Sequence, residues 1–240
     1  REELQKLEQE FRLIQELSHP GIVKYLDLVS FQSSKAIIME ENKSVTLSEY
    51  IHKSKPDLAA LMDLACQIAD VVVYAHGKGL VLRDIKSANI IVEAAGPHAR
   101  FIDFGLATML RHEIQELTSY ENLQGTLAYM SPEQTGRINK PMDFRSDLYS
   151  LGVTLYEMFT GGLPFRYTEP MELVHAHLAI TPVAPHKRKQ SVPRQISSII
   201  LKLLEKDPAL RYQTAIGLKA DLITCRDSIS TSGEIDGFEL

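Results

Sequence analysis

"LVLRDIKSANIIVE", from Leu80 to Glu93, is the stretch on which the reading of the chain turns. Its ends, Leu80–Leu82 and Ile90–Glu93, are apolar enough to form short buried strands, yet Arg83, Asp84, Lys86 and Asn89 stand between them. Charged and amide groups withdrawn from water are costly unless something pairs with them. A turn that gathers an acid, a base and an amide therefore implies a bound ion, a ligand or a set of side-chain partners. Alone, the spacing D-x-K-x-x-N is equally compatible with a polar turn between two strands.

Working outward, "DFG" follows at Asp103-Phe104-Gly105, and "GTLAYMSPE" runs from Gly125 to Glu133. Residues 104–145 have little periodicity and much polarity, and an irregular segment of that length inside a compact domain is usually functional. Upstream, "PDLAALMDLACQIADVVVYAHGKG" from Pro56 predicts a long helix ended by Gly77 and Gly79. Before it, Ile22–Phe31 and Lys35–Glu40 flank the polar turn Gln32–Ser34, the pattern of a hairpin. The first residues are helical in pattern, with Leu4, Leu7, Phe11, Ile14 and Leu17 spaced by three and four, and "SHPG" stops them. Downstream, "FRSDLYSLGVTLYEMFTGGLPF" places Leu148, Leu151, Leu155 and Phe159 on one helix face, with Gly161-Gly162 at its end. Further helices are predicted near Met171–Ala179, Ile196–Glu205 and Gln213–Arg226. The layout is α+β: a little sheet first, then a large, mostly helical body.

The 240 residues carry 31 acids against 26 bases, a formal charge of −5, which gives no reason to expect a nucleic-acid surface. Cys66 and Cys225 are too few and too far apart for a disulfide framework. Buried free thiols in a reducing, cytoplasmic setting are the expectation. No signal peptide is visible, and no apolar run approaches the length of a membrane span. The chain opens in mid-helix without an initiator Met, which suggests a piece of a longer protein.

D-x-K-x-x-N, DFG and "GTLAYMSPE", in that order, together resemble the catalytic loop, metal-binding loop and substrate-loop terminus of eukaryotic-type Ser/Thr protein kinase domains. The resemblance covers nearly the whole chain and implies the protein kinase-like fold. It divides the chain into a partial N-lobe at 1–41 with its first strands missing, a C-lobe at 42–228 and a linker at 229–240. It implies ATP and Mg²⁺ as cofactors and a protein hydroxyl as substrate. Phosphoryl transfer spreads charge over three phosphate oxygens, so catalysis is positioning plus placement of cations. By resemblance, Asp84 accepts or orients the substrate hydroxyl proton, Lys86 reaches the transferred phosphate, and Thr126 bonds near both. Asn89 and Asp103 would supply the hard oxygen ligands that Mg²⁺ prefers.

The outer positions follow the same resemblance. Glu10 would be the regulatory-helix partner of an ATP-binding Lys; its plainer reading is a solvated Glu on an acidic face. Met39 would be the gatekeeper, with Glu40 and Asn42 offering backbone groups to adenine, and Ile91 and Ile102 apolar neighbours of the adenine and metal sites. Those two could equally be core residues with no further role. Asp147 would anchor the catalytic loop through its backbone, and Glu133 and Arg211 would lock the substrate loop to the helical body. Arg83 would receive a phosphate carried by Thr118, Ser119 or Tyr120.

Two departures stand out. Leu82 occupies the place where the family usually has His, a packing position that an apolar side chain can fill. No G-x-G-x-x-G occurs, so the phosphate-covering loop and the ATP-binding Lys would lie before Arg1. This piece alone is then expected to bind ATP weakly or not at all, to be inactive by itself, and to expose apolar surface where the first strands would pack. "PEQTGRIN" and "ELVHAHLA" are more specific. They resemble the kinase domain at the N-terminus of large hybrid sensor proteins, which continue into an ATPase-like module, a GAF domain and a histidine kinase. The competing reading is a non-catalytic pseudokinase that relays signals to a downstream histidine kinase. A small-molecule kinase of the same fold is a third, against which the "GTLAYMSPE" segment argues.

Overall fold

The computed structural model describes residues 2–31, 34–40, 43–93, 96–104, 107–109, 124–235 and 237–240. The chain opens with helix α1 (Glu2–Gln15) and the antiparallel hairpin β1 (Tyr25–Phe31) and β2 (Ser34–Met39). Ile14 turns into the core, and Phe11 and Leu13 pack against it. Leu26, Val29, Ile38 and Met39 leave the hairpin with an exposed apolar surface.

The junction to the body is tight. Val23 N–H bonds to Phe101 O at 3.0 Å and Phe101 N–H to Gly21 O at 2.9 Å. Gly21 is required there, because a Cβ would meet the Val71 side chain at 2.4 Å.

Strand β3 (Ser44–Thr46) leads directly into α2 (Leu47–Ser54), a helix the sequence reading did not find. Its signal is a capping box: Thr46 accepts from Glu49 N–H while the Glu49 side chain accepts from Thr46 N–H. Helix α3 (Leu58–Gly77) follows, then β4 (Leu80–Val81), β5 (Ile90–Glu93), β6 (Ala99–Phe101) and β7 (Thr108–Met109). Strands β3, β5 and β6 form one antiparallel sheet in that order, and β4 pairs with β7. Within the stretch expected to be irregular, α4 (Gln124–Leu127) and a 3-10 turn at Glu133–Thr135 are described as well.

The body is helical: α5 (Phe144–Thr160), α6 (Pro170–Ala179), α7 (Pro185–Arg188), α8 (Arg194–Leu203) and α9 (Ala215–Ser232). Helix α5 is not the one-sided helix that Leu148, Leu151, Leu155 and Phe159 suggested. Every residue from Ser146 to Phe159 is buried, so it is the central rod of the domain. Helix α3 packs on α9 and, at 20 residues and largely apolar, also matches a membrane span in length and composition. That corrects the expectation of no such run; its Leu64, Ala65, Ile68, Ala69, Val71 and Val72 lie in the core. Cys66 and Cys225 are buried and free, and desolvation pushes their thiols up to about 11 and about 12.

The span 229–240, expected as a linker, has a defined structure. It is helical to Ser232, and then Ile235, Phe238 and Leu240 pack against the core. Gln195 holds this tail through Phe238, donating to its carbonyl at 3.0 Å and accepting from its N–H at 3.4 Å.

A smaller apolar cluster of Leu127, Phe165, Leu173, Val174 and Ala176 seats α6 under the segment after Thr126. His177 is buried beside it, with Nδ1 2.9 Å from the Tyr149 hydroxyl and its ring edge-on to Phe165. Burial, and secondarily the Lys206 ammonium, lowers its pKa to about 3. A folded-state pKa below the unfolded value means stability that is present above about pH 6.5 and lost as pH falls toward 3. In urea titrations across that window, His177→Gln is expected to flatten the acid loss of stability relative to the parent chain. An equal slope would remove His177 from this role.

Candidate active site

The loop 82–86 leaves β4 with Arg83 in the left-handed region, φ 67°, a conformation that favours glycine. A buried carboxylate holds it there. Asp147, at the start of α5, accepts Arg83 N–H on Oδ1 and Leu82 N–H on Oδ2, each at 2.8 Å. His76, at the end of α3, approaches the same Oδ2 at 2.9 Å. From the other side the Gln134 amide donates to Arg83 O at 2.8 Å. The strained backbone is thus fixed from two elements distant in sequence.

The loop presents its polar side chains as one bonded cluster. Lys86 Nζ donates to Asp84 Oδ2 at 2.6 Å and to Thr126 Oγ1 at 2.9 Å. Asn89, on a 3-10 turn that runs into β5, donates from Nδ2 to Asp84 Oδ2 at 2.8 Å and to Asp84 O at 3.1 Å. Asp84 Oδ1 is buried and has no partner among the described residues. A half-satisfied buried carboxylate is costly unless a further donor arrives.

Asp103 is placed by the ladder beside it. Strands β5 and β6 pair Ile90 with Phe101, and one step further Ile102 N–H bonds to Asn89 O at 3.1 Å. Asp103 follows, exposed, one residue beyond the Ile102 backbone bond to Asn89. Among the described residues no group of three or more His, Cys, Asp or Glu side chains could hold a metal ion. A carboxylate and an amide oxygen are hard donors of the kind that Mg²⁺ takes when phosphate and water complete its shell.

Glu10 of α1 reaches the same place. Its Oε1 accepts the Tyr25 hydroxyl at 2.6 Å and Phe104 N–H at 3.5 Å. Burial holds its carboxyl above the usual range, with Asp103 adding to the rise and the Tyr25 bond opposing it. The solvated-Glu reading is thereby corrected. Phe104 and Leu82 are both buried in the main core.

The nucleotide-side positions are arranged differently. Met39 is exposed at the end of β2. The Glu40 carboxylate pairs with Arg100 and accepts Lys24 N–H, while its own N–H bonds to Lys24 O at 3.0 Å. Of its backbone groups the N–H is therefore committed, which narrows the expectation for Glu40 to its carbonyl. Ile91 is buried in β5, opposite Thr46. Ile102 is half-buried, and its carbonyl accepts the Tyr25 hydroxyl at 2.8 Å. Asn42, Thr118, Ser119 and Tyr120 lie outside the described residues. Arg83 Nε is buried without a partner among those described.

A second polar chain underlies the loop and was not found from sequence. Ser87 Oγ lies 2.9 Å from the Tyr129 hydroxyl, which donates to Glu157 Oε2 at 2.5 Å, and Ser48 donates to Glu157 Oε1 at 3.3 Å. Burial first, then the Glu157 carboxylate, pushes the Tyr129 hydroxyl pKa upward. The only sequence signal was the Tyr within "GTLAYMSPE". Below it, Glu133 and Arg211 form a fully buried bidentate pair, at 2.6 and 2.9 Å.

A family model described as the protein kinase domain matches residues 1–223. The chain is 33% identical over 216 residues to the serine/threonine-protein kinase PknB of Mycobacterium tuberculosis, covering 86% of this chain and 33% of that one. It is 33% identical over 228 residues to the serine/threonine-protein kinase PrkC of Bacillus subtilis, covering 94% and 34%. The chain thus spans about a third of the length of the curated relatives it matches.

Proposed function

Because the chain belongs to the protein kinase domain family, we propose that this cleft transfers the γ-phosphoryl group of ATP to Ser or Thr hydroxyls of proteins. The observation that carries the reading is Asp84: one carboxylate oxygen is fixed by Lys86 and Asn89, and the other is buried with no partner among the described residues. A substrate hydroxyl donating to Oδ1 would complete that shell and be aimed for attack. Lys86, held between Asp84 and Thr126, supplies positive charge beside the acceptor. Asn89 Oδ1 and Asp103 would hold Mg²⁺, whose contribution when bound with ATP is to neutralise charge on the phosphate oxygens. The pairing of Lys86 with Thr126 favours Ser and Thr over Tyr as acceptors. The presence of Asp84, Lys86, Asn89 and Asp103 together argues against the pseudokinase alternative.

The similarity of "PEQTGRIN" and "ELVHAHLA" to hybrid sensor kinases supports a cytoplasmic signalling protein whose kinase domain precedes ATPase-like, GAF and histidine kinase modules. The named relatives support the first, serine/threonine-directed part of that reading.

The test is transfer from γ-labelled ATP to a protein acceptor by the intact protein, followed by identification of the labelled amino acid. Label on phosphoserine or phosphothreonine is expected, and label on neither defeats the reading. A second expectation concerns Asp103→Asn, which removes a charged oxygen at the cation position. Mg²⁺-dependent affinity for a non-hydrolysable ATP analogue should fall by roughly ten- to a hundredfold, as for other changes around a bound metal, with Mg²⁺-free affinity unchanged. Equal affinity in the two proteins would take Asp103 out of that role.

A further inference from the structure

Tyr25 was assigned nothing from sequence, and its hydroxyl bonds both to helix α1 and to the residue before Asp103. Its ring is buried in the core at the start of β1. A buried tyrosine needs one partner for its hydroxyl. This one has two acceptors, Glu10 Oε1 of α1 at 2.6 Å and Ile102 O at 2.8 Å, the carbonyl immediately before Asp103. Glu10 Oε1 also faces Phe104 N–H at 3.5 Å, immediately after Asp103. Without the hydroxyl, that weak bond is the tie that remains, among those described, between the half-buried Glu10 carboxylate and the Asp103 loop, and Asp103 repels the carboxylate.

We propose that Tyr25 is a positioning residue that couples the seating of helix α1 to the placement of the Ile102-Asp103-Phe104 loop. The coupling rests on the kinase reading, since it concerns where the cation ligand Asp103 stands. A residue that only fills the core would lack the second acceptor. Phenylalanine keeps the ring and its packing and removes only the bridge.

The experiment compares the intact protein with Tyr25→Phe by calorimetric binding of a non-hydrolysable ATP analogue, with and without Mg²⁺, and by thermal melting. The expected result is about a tenfold loss of affinity with Mg²⁺, the size of one hydrogen bond to a charged group, with Mg²⁺-free affinity nearly unchanged and a melting temperature lower by only a few degrees. In a double-mutant cycle, Glu10→Gln and Tyr25→Phe should be non-additive in that Mg²⁺-dependent affinity. Equal affinities, or equal losses with and without Mg²⁺, would overturn the coupling and leave Tyr25 a packing residue.

Should Tyr25→Phe fail to fold, hydrogen exchange in the unaltered protein carries the question. Titration with Mg²⁺ and the analogue should protect the segments around Glu10 and Ile102 at one common midpoint, and separate midpoints overturn the proposal. If the unaltered protein binds no nucleotide even with Mg²⁺, the kinase reading fails and this inference with it. If the unaltered protein binds and the variant binds equally, only the inference fails.

Discussion

Asp84→Asn in the intact protein should lower the rate of phosphotransfer by about 10²–10⁴-fold, the usual weight of a positioned acid–base group. The hydrogen bonds decide which variant to make. Asp84 Oδ2 accepts from Lys86 Nζ and Asn89 Nδ2, so an asparagine at position 84 must keep its carbonyl oxygen there; its NH₂ would otherwise meet two donors. The NH₂ then falls where Oδ1 was, the buried atom without a partner among the described residues. The change converts the one spare acceptor into a donor and disturbs little else. Melting temperature and Mg²⁺-dependent nucleotide affinity are expected to stay near the parent values while initial rates of phosphate incorporation collapse. Asp84→Ala would be less informative, because it also strips Lys86 of its ion-pair partner. A rate within severalfold of the parent would dismiss Asp84 from the chemistry.

What could be read in the sequence was what lies within one loop. Asp84, Lys86 and Asn89 stand two and three positions apart, and their mutual bonds depend only on local backbone. The hairpin and the long helices were legible for the same reason, since apolar period and Gly or Pro stops are local signals. The small sheets were less so, because a two-residue strand such as β4 exists only through its partner β7. Helix α2 was missed where its capping box is its main mark, and α5 was read as one-sided because a helix buried all round has no distinguishing polar face. The supporting polar chain was hidden for a different reason. Ser48, Ser87, Tyr129 and Glu157 are far apart in sequence, and each looks like an ordinary polar residue until the fold brings them together. Tyr25 was hidden likewise: its ring satisfied the strand pattern, and nothing local showed that its hydroxyl would sit between Glu10 and Ile102.

The Glu133–Arg211 pair leads to the second large effect, on stability. Arg211 has five N–H donors and places all of them: two on Glu133, and the others on the carbonyls of Arg145, Glu205 and Lys206. Both side chains are essentially without solvent, at 0% and 1% exposure, so neither charge can be rehydrated in place when the other is removed. Breaking such a pair from one side costs about 3–5 kcal/mol, a large share of a domain's net stability of about 5–15 kcal/mol. For a domain of this size the melting temperature should fall by roughly 10 °C. The two sides are not equal. Glu133→Gln leaves Arg211 its three carbonyls, whereas Arg211→Met leaves Glu133 with the Ser146 hydroxyl at 2.9 Å and strands those three carbonyls as well. Arg211→Met should therefore be the more damaging, and combining it with Glu133→Leu should recover only the part due to the unpaired charge. The loss also has a route to the catalytic loop. Glu133 anchors the turn that carries Gln134, which receives Ser131 N–H and donates to Arg83 O. Activity measured well below the melting temperature is expected to drop along with stability. Calorimetric melting of the two single variants and the double variant decides it: equal, small shifts for both singles would show that the buried pair does not hold this segment to the helical body.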